Sequence, residues 1–320
     1  MPGDSVIHSL AGAAGGIVAM TATYPLIFLS TRAAVETKNE NKTTYEAVKD
    51  IVKREGVLGL YSGLGSSLWG IAVTNGVYYY FYERTRGIVL SSRSGSKGLS
   101  TLESMVTGLI AGSATSIISN PIWVVQTTQA VQGMKEPTES SLPASAPGKV
   151  RTLSILQTVQ HILATDGLLG FMRGIGPALV LVINPVIQYT VFEQLKNVLV
   201  MRRTAASRAT GGAVAAAVLT DLDFFLLGAI SKFIATGSTY PYIVVKSRLQ
   251  AGHAKYESAI DGILSIIKNE GIAGVYKGVG NKLIQSVLTA AILFVGQKKI
   301  YEVIKKVLTT VPLKKVKKVN

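Results

Sequence analysis

Six apolar stretches alternate with short polar or amphipathic segments, over about residues 5–34, 64–88, 101–130, 174–200, 219–250 and 280–305. Each is near or above the roughly 20 residues that a bilayer core requires, although none is uniformly apolar. The first, third and fifth carry small residues at helical spacing, Gly12/Gly16, Gly108/Gly112 and Gly228/Ala235, which permit close contact between helices. Each of these three then meets a proline, Pro25, Pro121 or Pro241, which removes a backbone donor and predicts a kink at a shared depth. Three such helices can converge to close one end of a cavity. Between paired stretches lie Tyr45–Arg54, Ile155–Ala164 and Tyr256–Asn269, whose apolar residues recur every three or four positions. These read as helices lying along the membrane surface. Each leads to an acidic-Gly turn, Glu55-Gly56, Asp166-Gly167 or Glu270-Gly271, so the pattern is a threefold repeat. It predicts an all-α membrane protein with six transmembrane helices in three pseudo-symmetric two-helix repeats, short surface helices and a central cavity.

The expected repeats are 1–92, 93–205 and 206–310, followed by a basic tail at 311–320. The stretch 134–149 is rich in Pro, Ser and Ala without an apolar period, and reads as a flexible insertion in the second repeat. Residues 202–212 read as a basic linker, and the tail as a solvated end or a contact to anionic lipid.

Composition agrees with a membrane protein: 48% of the 320 residues are hydrophobic and 16% charged. The net charge of +15 suits anionic partners, either lipid headgroups or a phosphorylated substrate. Nucleic acid is not expected, since the basic residues form no continuous aromatic-basic face. There is no Cys, and His8, His161 and His253 are far apart, so neither a disulfide nor a metal site is expected. The N-terminus lacks the basic region and cleavage site of a secretory signal. Gly148-Lys149 lacks the rest of a phosphate loop, and no nucleophile–base pair shares an apolar pocket, so neither an enzyme nor a bound cofactor is expected.

The repeats resemble the mitochondrial carrier family over nearly the whole chain. The pattern after each proline reads PLIFLSTR (25–32), PIWVVQTT (121–128) and PYIVVKSR (241–248), and the later half reads EGVLGLYSG (55–63), DGLLGFMRG (166–174) and EGIAGVYKG (270–278). The resemblance implies an inner gate built on Pro25, Ser30, Arg32, Pro121, Trp123, Gln126, Pro241, Lys246, Arg248 and Gln250. Where the family has acids two residues past each proline, this chain has Ile27, Trp123 and Ile243, and two partner bases have become Ser30 and Gln126. Only Lys246 survives, so the family's inner ion-pair ring cannot form. Closure by packing and weaker polar contacts, with a low barrier to opening, is the expectation. The outer aromatic-acidic-x-x-basic motif appears as Tyr82-Glu83 with Arg86 and Phe192-Glu193 with Lys196; its third copy reads Gln297, Lys298 and Tyr301. Pro121-Ile122-Trp123, with TNGVYYYFYE (74–83), NPVIQYTVFE (184–193) and KLIQSVLTAA (282–291), is similar to the peroxisomal adenine-nucleotide and cofactor carriers within the family.

Comparing the three repeats with one another picks out asymmetric positions. Nine residues before the proline stand Gly16, Gly112 and Lys232, so one copy places a charge where the others have glycine. An intramembrane lysine costs at least about 2.5–3.5 kcal/mol on insertion scales and usually faces a watery pathway; Lys232 either binds phosphate or bonds neighbouring carbonyls. Lys282, where the other copies have Ser67 and Ala178, has the same two readings. The resemblance puts substrate contacts at Gly70 with Ile71, Leu181 with Val182, and Gln285. Asn75, Asn184 and Gln188 are polar residues in apolar helices, suited to a base or ribose or to helix-to-helix bonding. Tyr78, Tyr79, Tyr80 and Tyr82 offer a stacking face or interface anchors. The expected function is alternating-access exchange of ATP for AMP or ADP across the peroxisomal membrane by a monomer. The alternatives are transport of CoA, FAD or NAD, residence in the mitochondrial inner membrane, and a non-transporting scaffold or biogenesis factor of the same fold.

Overall fold

The computed structural model describes residues 2–37, 43–92, 98–134, 153–209, 219–252 and 254–292, and among them there is no strand. The helices are α1 (Pro2–Val35), α2 (Thr44–Glu55), α3 (Leu64–Ser91), α4 (Thr101–Val131), α5 (Ile155–Asp166), α6 (Ile175–Val180), α7 (Asn184–Ala209), α8 (Asp221–Gln250), α9 (Ala259–Gly274) and α10 (279–292). Side-chain oxygens start several of them. Thr43, Ser100, Ser154 and Thr220 each accept from the backbone N–H three residues on and donate their own backbone N–H to that residue's side chain, which satisfies donors that a helix start leaves unpaired.

Among the described residues, four helical stretches are long and apolar enough to cross a membrane: Gly15–Val35, Val57–Ser91, Thr101–Val131 and Leu168–Ala206. Helix α8 has a comparable 30 residues and carries Asp221, Asp223, Lys232, Lys246 and Arg248. The sixth expected span is described only to residue 292. Outward stripes, such as Ile110, Ile117 and Ile118 on α4 and Ile230, Phe233 and Ile234 on α8, stay about half exposed at helical spacing, as lipid-facing positions require.

Three expectations change. The fourth span is not continuous: a 3-10 turn at Leu181–Ile183 separates α6 from α7. Pro185 has no N–H for the Leu181 carbonyl four residues back and its ring would clash there, so that carbonyl accepts from the Asn184 N–H instead. Residues 202–209, expected as linker, continue α7, and Arg203 ties the helix to the first turn of α8 through bonds of 2.6 and 2.7 Å to Asp223. Of the small-residue pairs, Gly112 does bring helices close, since a Cβ there would lie 2.6 Å from Val182, whereas Gly16 and Gly228 face open space. The insertion at 135–149, the tail, His253 and Lys298 lie outside the described residues.

The three proline-bearing helices α1, α4 and α8 touch one another pairwise. What lets them meet is a glycine with positive φ at the start of each even-numbered span: Gly63 (86°), Gly174 (74°) and Gly278 (82°). A Cβ on each would approach a carbonyl of the next repeat, that of Gln126 at 3.2 Å, Lys246 at 3.0 Å and Ser30 at 2.6 Å. Gly278→Ala is therefore expected to lower the melting temperature of the purified protein by about 3–6 °C. Gly176→Ala, at an open position, should leave it unchanged or slightly raised.

Candidate functional site

Below the prolines the bundle is closed by rings of polar contacts that run from each repeat to the next. Seven residues past each proline, Arg32 Nε donates to the Ala130 carbonyl (2.7 Å), Thr128 Oγ1 to that of Gln250 (3.5 Å), and Arg248 Nε to that of Ala34 (3.0 Å). The two guanidinium groups also pair with the acid of their own repeat's acidic-Gly turn. Arg32 holds Glu55 at 2.6 and 2.9 Å, and Arg248 holds Glu270 in the same bidentate way. In the second repeat Thr128 cannot do this, and Asp166 takes Arg173 instead, at 2.9 Å.

A second ring lies about two turns higher, at the residue before each proline, and starts from bonds inside each repeat. Tyr24 donates to the Ser62 carbonyl (2.8 Å), Asn120 to that of Arg173 (3.1 Å) and Tyr240 to that of Lys277 (3.0 Å). Ser30 then reaches Tyr240, and Gln126 reaches Tyr24, both at 3.4 Å. Gln250 donates to Asn120 (3.1 Å) and accepts from Thr127 (3.1 Å). The acid positions have gone over to packing: Ile27 and Ile243 join apolar clusters, and Trp123 lies over Gly70 while its indole N–H reaches Thr74 at 3.2 Å. The sequence did not single out Tyr24, Asn120 or Tyr240, and it marked Glu55 and Glu270 only as the acids of the acidic-Gly turns. Extending the comparison of repeats to the position before each proline would have found the first three.

Above this floor a cavity of about 730 Å³ runs along α4, lined on the way by Ser116, Gly112 and Ser104. Lys246 stands at its inner end, and Leu181 and Val182 form part of its wall. Lys232 reaches Asn184 Oδ1 at 3.5 Å, and Lys282 lies within Coulombic range of both Lys232 and Lys246. Among the described residues none of the three lysines has a carboxylate in an ion pair. Asn184 also donates to Ala235 O (2.9 Å) and Thr239 Oγ1 (2.7 Å), so it ties α7 to α8 while holding Lys232. Gln285 is buried and bonds Thr289, which meets Thr23 of α1 at 3.1 Å. Gly70 is covered by Trp123 and Ile122, whereas Ile71 and Asn75 are exposed and Gln188 is half-buried.

At the outer end the motif residues pair within their own helices, Glu83 with Arg86 at 3.1 Å and Glu193 with Lys196 at 2.7 Å. The ion pair that bridges helices toward that end is Arg203–Asp223, from α7 to the start of α8. The cavity is thus shut on the proline side, and Leu99 and Thr101 line its opposite end.

Comparison with known proteins fits this geometry. The family model for mitochondrial carrier protein matches residues 3–93, 97–203 and 218–312. The chain is 36% identical over 317 residues to the peroxisomal nicotinamide adenine dinucleotide carrier of Arabidopsis thaliana, covering 91% of this chain and 93% of that protein. It is 33% identical to the peroxisomal membrane protein PMP34 of Mus musculus (93% and 92% covered) and 31% identical to the peroxisomal adenine nucleotide carrier 1 of Glycine max (93% and 91%). The all-helical, three-repeat architecture is that of these carriers. With every repeat matched, the protein belongs to the mitochondrial carrier family, whose members are transporters rather than enzymes.

Proposed function

We propose that this protein is an alternating-access antiporter of the peroxisomal membrane that exchanges adenine nucleotides, ATP for AMP or ADP. The observation that carries the reading is that Lys246 lines the cavity and Lys282 is within Coulombic range of both Lys246 and Lys232, with no carboxylate partner for any of the three among the described residues. Three like charges in a membrane interior repel one another and have lost much of their hydration. A di- or triphosphate supplies compensating charge and several acceptor oxygens. Leu181 and Val182, exposed to the cavity by the turn that Pro185 imposes, offer an apolar wall for the base.

Lys246 is built into the closed end: its own carbonyl packs on Gly174, so phosphate bound to its side chain acts on a segment that must move when the gate opens. Closure here rests on hydrogen bonds of 2.7–3.5 Å from neutral groups and guanidinium to carbonyls, not on an inter-helix ion-pair ring. That arrangement supports a modest barrier to opening.

A second reading, exchange of NAD, is favoured by the relative described as a nicotinamide adenine dinucleotide carrier. Uptake of labelled ATP into AMP-loaded liposomes, in competition with ADP, NAD, CoA and FAD, separates the two. Strong competition by ADP and AMP supports the first reading, and competition confined to NAD the second. Absence of exchange with any nucleotide would leave a non-transporting protein of the same fold.

A further inference from the structure

The three seams of the floor are not alike. Where α1 meets α4, the Arg32 guanidinium donates to the Ala130 carbonyl at 2.7 Å. Where α8 meets α1, Arg248 donates to the Ala34 and Glu36 carbonyls at 3.0 and 3.4 Å, and Lys277 to that of Glu36 at 3.1 Å. Across the seam between α4 and α8 the hydrogen bonds among the described residues join only neutral groups. Thr128 donates to the Gln250 carbonyl at 3.5 Å, and Thr127 to Gln250 Oε1 and Gln250 to Asn120, both at 3.1 Å. Arg173 lies against Gly252 at the end of α8, but it donates to Asp166 and to the Gly170 carbonyl of its own repeat. A hydrogen bond with a charged donor is roughly twice as strong as a neutral one, so this seam is held least firmly.

Two further features fall on the same seam. The short helix α6 touches both α4 and α8, and is set off by Gly174 at φ 74° on one side and by the 3-10 turn at Leu181–Ile183 on the other. Such element ends are where a rigid displacement is absorbed. In the first repeat α3 runs unbroken from Leu64 to Ser91 through the corresponding positions, as α10 does from 279 to 292 in the third. The cavity also ends there. Its innermost lining, Thr115 and Ser116 on α4, Ala178 on α6 and Lys246 on α8, flanks the seam, while no described residue of α1 or α10 lines it.

We propose that the inner gate opens asymmetrically, along the α4–α8 seam, with α6 as the element that swings aside and Thr128 as the position that sets the exchange rate. The inference rests on the alternating-access reading. Arg32 and Arg248 keep the other two seams shut, each guanidinium being anchored on a carboxylate of its own repeat. A nucleotide at the bottom of the cavity then leaves beside Lys246. The second repeat retains its acid, Asp166, but has Thr128 where the other copies have arginine. One acid can serve two cations at this level, as Glu270 does for Arg248 and Lys277. Thr128→Arg therefore supplies the missing guanidinium, with Asp166 as its partner beside Arg173.

The test uses the full chain in AMP-loaded liposomes, with labelled ATP as the probe. Thr128→Arg is expected to slow exchange about tenfold at saturating ATP, as one added charge-assisted bond would, with half-saturation unchanged and the melting temperature equal or higher. Thr128→Val, which removes the weak bond, should exchange at the wild-type rate or faster. Because the chain contains no Cys, single cysteines report each seam separately. Thr127→Cys lies between α4 and α8, Ser30→Cys between α1 and α8, and Ser62→Cys between the first repeat and α4, all buried in the closed floor. During exchange, a water-soluble maleimide on both membrane faces should modify Thr127→Cys at least about fivefold faster than the other two. Equal modification at the three seams, faster modification of Ser30→Cys or Ser62→Cys, or wild-type exchange by Thr128→Arg would overturn the asymmetric gate while leaving exchange itself intact. Where Thr128→Arg does not assemble, the labelling pattern decides alone. Absence of exchange by the wild type would remove the alternating-access reading together with it.

Discussion

Lys232→Gln is expected to reduce ATP uptake into AMP-loaded liposomes by about a hundredfold, since a hydrogen bond between charged groups contributes about 1.5–3 kcal/mol. The substitution removes charge but keeps a donor of similar reach, so the contact to Asn184 Oδ1, 3.5 Å in the wild type, is replaceable. Melting temperature should therefore stay within a few degrees or rise, because an intramembrane charge is gone. Lys282→Gln should act in the same direction. The double variant should lose less than the product of the single losses if both lysines engage one phosphate group. A lysine that only braces helices would show the opposite pattern, with lowered stability and unchanged affinity.

The second large effect lies at the floor of the bundle. Arg248 and Glu270 have side chains only 2% and 9% exposed, and their bidentate pair links α8 to the surface helix α9. Lys277 adds a second cation to Glu270 at 2.8 Å. Glu270→Gln leaves Arg248 buried without its counter-charge, and loss of about 3–5 kcal/mol of stability is expected. Disrupting the corresponding pair in the second repeat should cost at most about 1 kcal/mol, because Arg173 and Asp166 are 21% and 36% exposed.

The Arg248–Glu270 pair also predicts a pH dependence. Burial alone would raise the Glu270 carboxyl, but Arg248 and Lys277 more than offset it and hold it below the usual carboxylate range. A carboxylate depressed in the folded state stabilises fully above its unfolded value, about 4.3. Its contribution is lost as pH falls through the lowered folded value. Thermal melts from pH 6 downward should show this loss in wild type and a flatter response in Glu270→Gln.

The repeat pattern made most of the architecture legible. Prolines, acidic-Gly turns and amphipathic segments are local signals, so the first five spans and the surface helices could be placed to within a few residues, except for the end of α7. The gate was legible only by what it lacks. Ile27, Trp123 and Ile243 announced that no ion-pair ring forms, but its replacement joins groups that sequence does not bring together. Arg32 meets a carbonyl 98 residues away, and Arg248 one 214 residues away. Tyr24 and Tyr240 carry no local sign of their role, since their hydroxyls meet Gln126 and Ser30 of other repeats. The break before α7 had a local sign, Asn184-Pro185 within an apolar run, whose weight was missed. The asymmetric Lys232 was visible at once, while its contact with Asn184 depends on how α7 and α8 pack.

The central claim, exchange of nucleotides at a lysine-lined site, is tested most directly by uptake of labelled ATP into proteoliposomes that are empty or loaded with AMP. The account predicts fast uptake only with internal AMP, and its collapse in Lys232→Gln. Uptake independent of internal nucleotide, or exchange by Lys232→Gln at the wild-type rate, would contradict it.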